Sequence, residues 1–303
     1  MKQEIGIWKY SELLPPIEKK YRKSLAEGST GIVEAGGICF KCEFENPTGS
    51  VKDRGICYQI AELSQKGRGL AVISSSGNAA ISASKYCRLH KIGLTVFVSS
   101  LINKSKLAKI DEKTKVKITK TPLKDSFRVS QTQGVANLRP SINPVASVGY
   151  QTLSFEIAAY KKEIDAVFIP VSSGVALKGI YQGFTKLNLS PALHAVQTTR
   201  IHPLAAKFDS DFRKEDQSLA SAIVAKYLPL EQELIGIINK TRGSAWVIGN
   251  SQMQEYKSKL ASLDLDASYE GAAAYAAVIK AKARGFDYKN PVCILTGQYY
   301  QND

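Results

Sequence analysis

Lys52 lies in the run NPTGSVKDRG, Asn46 to Gly55, where turn-forming residues give way abruptly to a helical pattern. The helix macrodipole disfavours a cation in a first turn. A lysine there is either an ill-placed surface residue or an amine whose charge is meant to be suppressed. A lysine that loses its proton near neutral pH attacks carbonyl groups and forms a Schiff base. Three more junctions share a composition of Gly, Ser, Thr and Asn: SSSGNAA (Ser74 to Ala80), VSSGVALKG (Val171 to Gly179) and LTGQYY (Leu295 to Tyr300). Backbone N–H groups, hydroxyls and an amide at a helix start cradle a carboxylate or a phosphate. Any one junction could be no more than a tight turn with a capped helix. A reactive lysine together with two anion cradles asks for an aldehyde cofactor that carries a phosphate and a substrate that carries a carboxylate. Pyridoxal phosphate acting on an amino acid meets both requirements.

The elements that must position these junctions alternate along the chain. Strand-like runs GLAVISSS, IGLTVFVSS, VKITKT, AVFIPVSSG, LHAVQTT and PVCILTG are separated by helical segments. The helices are NAAISASKYCRLHK, YQTLSFEIAAYKK, VALKGIYQGFTKL and YEGAAAYAAVIKAKARG, the last with a glycine stop. Such alternation predicts an α/β fold of mostly parallel sheets with helices on both faces. Ligands bind at strand-to-helix junctions of these sheets. No internal repeat or low-complexity linker interrupts the pattern.

With 303 residues, 44% hydrophobic and 22% charged, the chain has the composition of a globular protein with a substantial core. The start, MKQEIGIWKYSELLPPI, lacks the apolar stretch of a signal peptide, so the expected location is cytoplasmic, with no membrane partner. Five scattered cysteines (Cys39, Cys42, Cys57, Cys87, Cys293) are expected to be reduced, and no metal is expected. Cys39-x-x-Cys42 reads as strand packing, because no second Cys/His pair follows at finger spacing. The net charge of +14 suits either nucleic acid or an anionic small molecule. Residues 101–128 hold nine Lys/Arg against three Asp/Glu, with few aromatics and no nucleic-acid motif. A solvated basic face and no nucleic-acid partner are expected.

Taken in order, NPTGSVKDRG, SSSGNAA, SSGVALKG and a terminal LTG resemble the fold-type II pyridoxal-phosphate enzymes, the tryptophan synthase β-like superfamily. IWKYSELLP, LAEGST, SINP (Ser141 to Pro144) and FEIA resemble threonine synthases, and the likeness runs from about Trp8 to Gly297. The resemblance implies two lobes: residues 1–50 and 146–303 as the large cofactor lobe, 51–145 as a small mobile lobe with the substrate-carboxylate loop. It implies pyridoxal 5'-phosphate as cofactor and Lys52 as the catalytic, Schiff-base residue. Asn78 would bond the pyridine 3'-oxygen. Ser75, Ser76 and Gly77 would hold the substrate carboxylate, with Asn78, Ser141 and Asn143 also at the substrate. Backbone N–H groups of Ser172, Ser173, Gly174, Val175 and Ala176 would bind the cofactor phosphate. Thr296 would meet the pyridine nitrogen, where a hydroxyl does not force protonation as an aspartate would. The implied assembly is a homodimer. The implied reaction is a lyase reaction, O-phosphohomoserine and water to threonine and phosphate by γ-elimination and β-addition.

The pattern departs from threonine synthases at named positions. Val145 and Ala146 stand where an aromatic residue and a phosphate-gripping arginine follow SINP, Ser173 where an Asn is frequent, and Gly31 where a proline is usual. Either another cation, Arg128, Lys104 or Lys106, grips the phosphate, or the substrate differs. The alternative reaction is β-elimination or β-replacement, as in serine/threonine dehydratases or cysteine synthases. A non-catalytic binding protein is the remote alternative. Asp53 and Arg54 are expected to be structural, Glu270 to be a dipole-favoured carboxylate, and Tyr299 and Tyr300 to pack or face solvent. No role falls to His90, His194 or His202.

Overall fold

Among the residues that a computed structural model describes, 4–75, 77–161, 163–223 and 225–300, ten strands and nine α-helices carry the alternation. In chain order they are β1 (Ile32–Ala35), β2 (Ile38–Lys41), α1 (Lys52–Gln65), β3 (Leu70–Ser74), α2 (Asn78–His90), β4 (Gly93–Val98) and α3 (Lys104–Lys109). Next come β5 (Lys115–Ile118), α4 (Pro122–Ser130), β6 (Val135–Asn137), α5 (Gln151–Tyr160), β7 (Ala166–Pro170) and α6 (Val175–Lys186). The chain finishes with β8 (Ala192–Thr198), α7 (Glu231–Lys240), β9 (Ala245–Ile248), α8 (Asn250–Ala261), α9 (Tyr269–Ala283) and β10 (Pro291–Ile294).

The chain divides into two compact units. The first holds residues 1–29, 46–152 and 300–302. Its sheet has the order β5-β4-β3-β6, with every neighbouring pair parallel. The carboxyl ends of its strands therefore share one edge. The second unit holds 30–45 and 153–299, around a sheet of order β1-β2-β10-β7-β8-β9. Among the paired strands of that sheet, the β1–β2 hairpin is antiparallel and the other pairs are parallel.

Burial explains the strand compositions. All seven residues of β8 and all four of β9 and β10 are buried, as required of parallel strands covered on both faces. In α9, Ala272, Ala273, Ala274, Ala276, Ala277 and Ala281 are buried, so this helix lies on its sheet through small side chains. Gly285, at φ +86, ends it; a left-handed residue just past a helix suits glycine best. Among the described residues no helix is long and apolar enough to cross a membrane.

Periodicity does not reveal the β1–β2 hairpin, β6, β9, α3, α4, α7 or α8. The strands among them have three or four residues, too few to show a period. The hairpin does carry a local sign, because Gly36 and Gly37 both adopt positive φ between the two strands.

All five cysteines are free and buried. Burial, chiefly, raises the Cys42 thiol to about 12 and raises Cys39, Cys57, Cys87 and Cys293 as well. These thiols are packing groups, not nucleophiles. His90 is buried, and neither ring nitrogen has a hydrogen-bond partner among the described residues. Burial, with the Lys23 charge, lowers it to about 4. A lowered histidine contributes stability that is present above its unfolded value and lost as pH falls toward the folded one. Acidifying from pH 7 to 4.5 is expected to cost roughly 2–3 kcal/mol through this group. His90→Leu should remove that share of the slope. Urea midpoints of both proteins at the two pH values measure it, and equal slopes would refute the assignment.

Candidate active site

In the first unit, the loop before α1 is a tight turn that Asp53 holds from behind. Gly49 N–H donates to Asn46 O at 2.7 Å, and Gly49 has φ +83. The Asp53 carboxylate accepts from Thr48 N–H at 2.7 Å and from Thr48 Oγ1 at 2.5 Å. Asp53 is fully buried, and burial above all raises its carboxyl to about 6. Arg54 is equally buried and donates to Thr152 Oγ1 at 3.0 Å. Asp53 and Arg54, the two residues after Lys52, therefore point into the fold and fix the helix start, while Lys52 itself is half-buried. Gly55 completes the motif for a steric reason. A Cβ there would lie 2.5 Å from the Tyr150 ring, and one on Gly149 would lie 1.9 Å from Arg54 O. α1 and the 149–150 segment meet backbone to backbone, which sets where Lys52 stands.

α2 packs on α1 in the same unit and begins at Asn78. Ser75, Gly77 and Asn78 are half-buried at the carboxyl end of β3, and Ser76 lies outside the described residues. Gly77 N–H turns back to Ser75 Oγ at 3.3 Å. Asn78 Oδ1 is buried and makes no hydrogen bond among the described residues. Ser141 and Asn143 follow β6, the strand beside β3. Ser141 Oγ is buried without a partner among the described residues, whereas Asn143 Oδ1 accepts from Val145 N–H at 3.1 Å. Ala146 is fully buried. The unit thus brings Lys52, the 75–78 loop and the SINP turn into one body.

The second unit carries the other candidates. After β7 the chain turns through Ser172 and Ser173 into Gly174, at φ +81, and α6 starts at Val175. A Cβ on Gly174 would meet Leu234 Cδ1 at 2.2 Å, so the turn needs glycine for both space and backbone angle. First-turn N–H groups have no acceptor within a helix, and those of Gly174, Val175 and Ala176 find none elsewhere among the described residues. Thr296 is half-buried just past β10, whose end is pinned by Leu295 N–H donating to Lys41 O at 3.0 Å. Taken each by itself, the α6 start of the second unit suits a phosphate, and the lone Asn78 Oδ1 of the first, an acceptor, suits a hydroxyl donor; pyridoxal phosphate carries a group of each kind.

Two features escaped the sequence reading. Lys41 is buried at 1% exposure, with Nζ 2.8 Å from Glu156 Oε2, 3.8 Å from Glu43 Oε1 and 2.6 Å from Thr30 O. Gly31 N–H donates to Glu45 Oε2 at 2.6 Å, a bond that a proline at that position could not make. The basic run is solvated as expected except at Lys106: the other eight cations are exposed, and Arg128 pairs with Asp125. Lys106 is buried, with Nζ 5.1 Å from the centre of the Tyr300 ring. Glu270 accepts from Ala222 N–H at 2.7 Å, a structural bond. Tyr299 stacks edge-on with Tyr269, and Tyr300 is buried. His194 sits in an aromatic cluster, bonded to Tyr288 Oη at 2.8 Å and accepting from Trp246 Nε1 at 3.1 Å. His202 Nδ1 lies 3.0 Å from Thr198 O.

The threonine synthase of Methanocaldococcus jannaschii is 26% identical to this chain over 249 residues, covering 73% of the chain and 62% of that protein. The chain thus matches under two thirds of that relative's length. The threonine synthase of Methanosarcina acetivorans is 25% identical, with 96% of this chain and 79% of that protein covered. An L-threonine ammonia-lyase of Thermotoga maritima is 26% identical over 61% of this chain and 48% of its own length. Among solved structures, maize serine racemase superposes with a TM-score of 0.79 at 18% identity, covering 90% of this chain and 89% of that one. That likeness establishes the fold. The family of pyridoxal-phosphate dependent enzymes matches residues 23–297, and the chain belongs to it.

Proposed function

We propose that the chain removes phosphate from O-phosphohomoserine and adds water to give threonine, with Lys52 as the residue that holds pyridoxal phosphate. The supporting observation is the half-buried Lys52 at the start of α1, its loop fixed by Asp53 and Thr48, in one unit with the 75–78 loop. When bound, the cofactor supplies an electron sink for the substrate's α-carbon. Lys52 Nζ, as a free amine, would take the α-proton and return protons along the carbon chain. Ser75, Ser76 and Gly77 hold the substrate carboxylate, and Asn78 orients the ring through its 3'-oxygen. The Ser172–Ala176 amides hold the cofactor phosphate, so the second unit is assigned the phosphate anchor and the first the carboxylate loop. The Thr296 hydroxyl meets the ring nitrogen without fixing a proton there. A net charge of +14 favours an anionic substrate.

A second reading rests on Ala146, a fully buried methyl where a phosphate-gripping cation was expected. It keeps the cofactor and changes the reaction to β-elimination or β-replacement on serine, threonine or an activated serine. One assay decides between them. Protein with pyridoxal phosphate and O-phosphohomoserine is expected to release phosphate and threonine in equal amounts. Keto acid and ammonia from serine or threonine, with no phosphate release, would establish the second reading instead.

A further inference from the structure

A cavity of about 420 Å³ opens in the first unit where α2 ends, β4 begins and the chain turns through 111–114. Its size is that of pockets for small ligands. Its place in the sheet sets it apart from the candidate active site. Gly93 and Leu94, the first residues of β4, line it, and they pair with Leu70 and Ala71, the first of β3. The cavity is therefore at the amino edge of these parallel strands, whereas Ser75 and Asn78 follow the carboxyl end of β3. None of its lining residues is one assigned to cofactor or substrate.

Hydrogen bonds fix the walls. Asp111 is buried, and its carboxylate accepts from Arg88 Nη1 at 2.7 Å and from Lys113 N–H at 3.1 Å. Asp111 N–H donates to Ser84 Oγ at 3.0 Å, which ties the 111–114 turn to α2. Cys87, Ile92 and Leu94 are buried and give the cavity an apolar lining. Charge is the unusual part. Arg88, Lys91 and Lys113 line the cavity against the one carboxylate of Asp111, which Arg88 already matches. The ammonium groups of Lys91 and Lys113 make no hydrogen bond and no ion pair among the described residues. The α2 end favours a cation at Lys91, but that preference does not extend to Lys113, which stands on the separate turn. Lys91 also holds φ +58 just past α2, where glycine or asparagine is the favoured residue. Two ammonium groups beside an apolar lining suit an anion of two charges with an apolar body. A phosphate monoester carries nearly two negative charges at neutral pH.

We propose that this cavity binds a small phosphate monoester with an apolar body, its phosphate at Lys91 and Lys113 and its body against Cys87, Ile92 and Leu94. The ligand is neither the cofactor nor the substrate, and the site is independent of which reaction the chain performs.

The test titrates the full chain, loaded with pyridoxal phosphate, with phenyl phosphate in a calorimeter. The wild type is expected to bind it more tightly than inorganic phosphate, which lacks the apolar body, and less tightly as salt rises. Lys91→Asn combined with Lys113→Gln should weaken that binding at least about tenfold, and Lys113→Gln alone should weaken it less. Asparagine suits the left-handed backbone at position 91, so the double variant should keep the urea midpoint and the cofactor absorbance of the wild type. No binding to the wild type, or equal binding to the double variant, overturns the proposal; the second result would place the probe elsewhere. Inorganic phosphate binding as tightly as phenyl phosphate would overturn it too, because the apolar lining would then take no part.

Discussion

Lys52→Ala protein is expected to keep its fold, lose the covalent hold on pyridoxal phosphate and lose turnover by at least about 10²–10⁴-fold, the range for removing one acid–base group. The fold should survive because the neighbours, not Lys52, carry the local structure. Asp53 ties Thr48, Arg54 reaches Thr152, and Gly55 admits Tyr150. On the proposed reading Lys52 both holds the cofactor and moves protons. Its removal should therefore be far more costly to activity than the loss of Ser75 or Asn78, to which the proposed reading gives orienting tasks alone. Spectra of the cofactor-loaded variant and initial rates measure the two effects separately. Wild-type rates in Lys52→Ala would remove Lys52 from the mechanism.

The second large effect falls on stability. Lys41→Met is expected to destabilise the protein by about 3–5 kcal/mol, the usual loss when one partner of a buried ion pair is removed. Without Lys41, the buried carboxylates of Glu43 and Glu156 lose their cation. The effect should reach the site, because Lys41 O also holds Leu295, one residue before Thr296. Adding Glu156→Leu to Lys41→Met should recover part of the loss, since a fully apolar replacement leaves one carboxylate fewer to bury. Denaturant unfolding of the two single variants and the double variant measures this cycle. A Lys41→Met protein as stable as the wild type would contradict the buried-pair account.

The chemistry-bearing junctions were legible because each is local. Turn formers before a helical run put Lys52 at the first residue of α1, and small residues after an apolar run put Asn78 at the first of α2 and Val175 at the first of α6. The parallel alternation was legible for the same reason, since apolar runs such as those of β7 and β8 belong to fully covered strands. What was not legible depends on partners far away in sequence. Lys41 reads as a surface cation until Glu156 and Thr30 are placed around it. Gly31, read as a departure from a family proline, has a local cause in its bond to Glu45.

The central claim is that Lys52 carries the cofactor. Sodium borohydride fixes a lysine–aldehyde linkage irreversibly, so the protein loaded with pyridoxal phosphate can be reduced, digested and mapped by mass spectrometry. The account predicts one modified peptide, the one containing Lys52, and none in Lys52→Ala protein. Modification at another lysine instead, or none at all in the wild type, would contradict it.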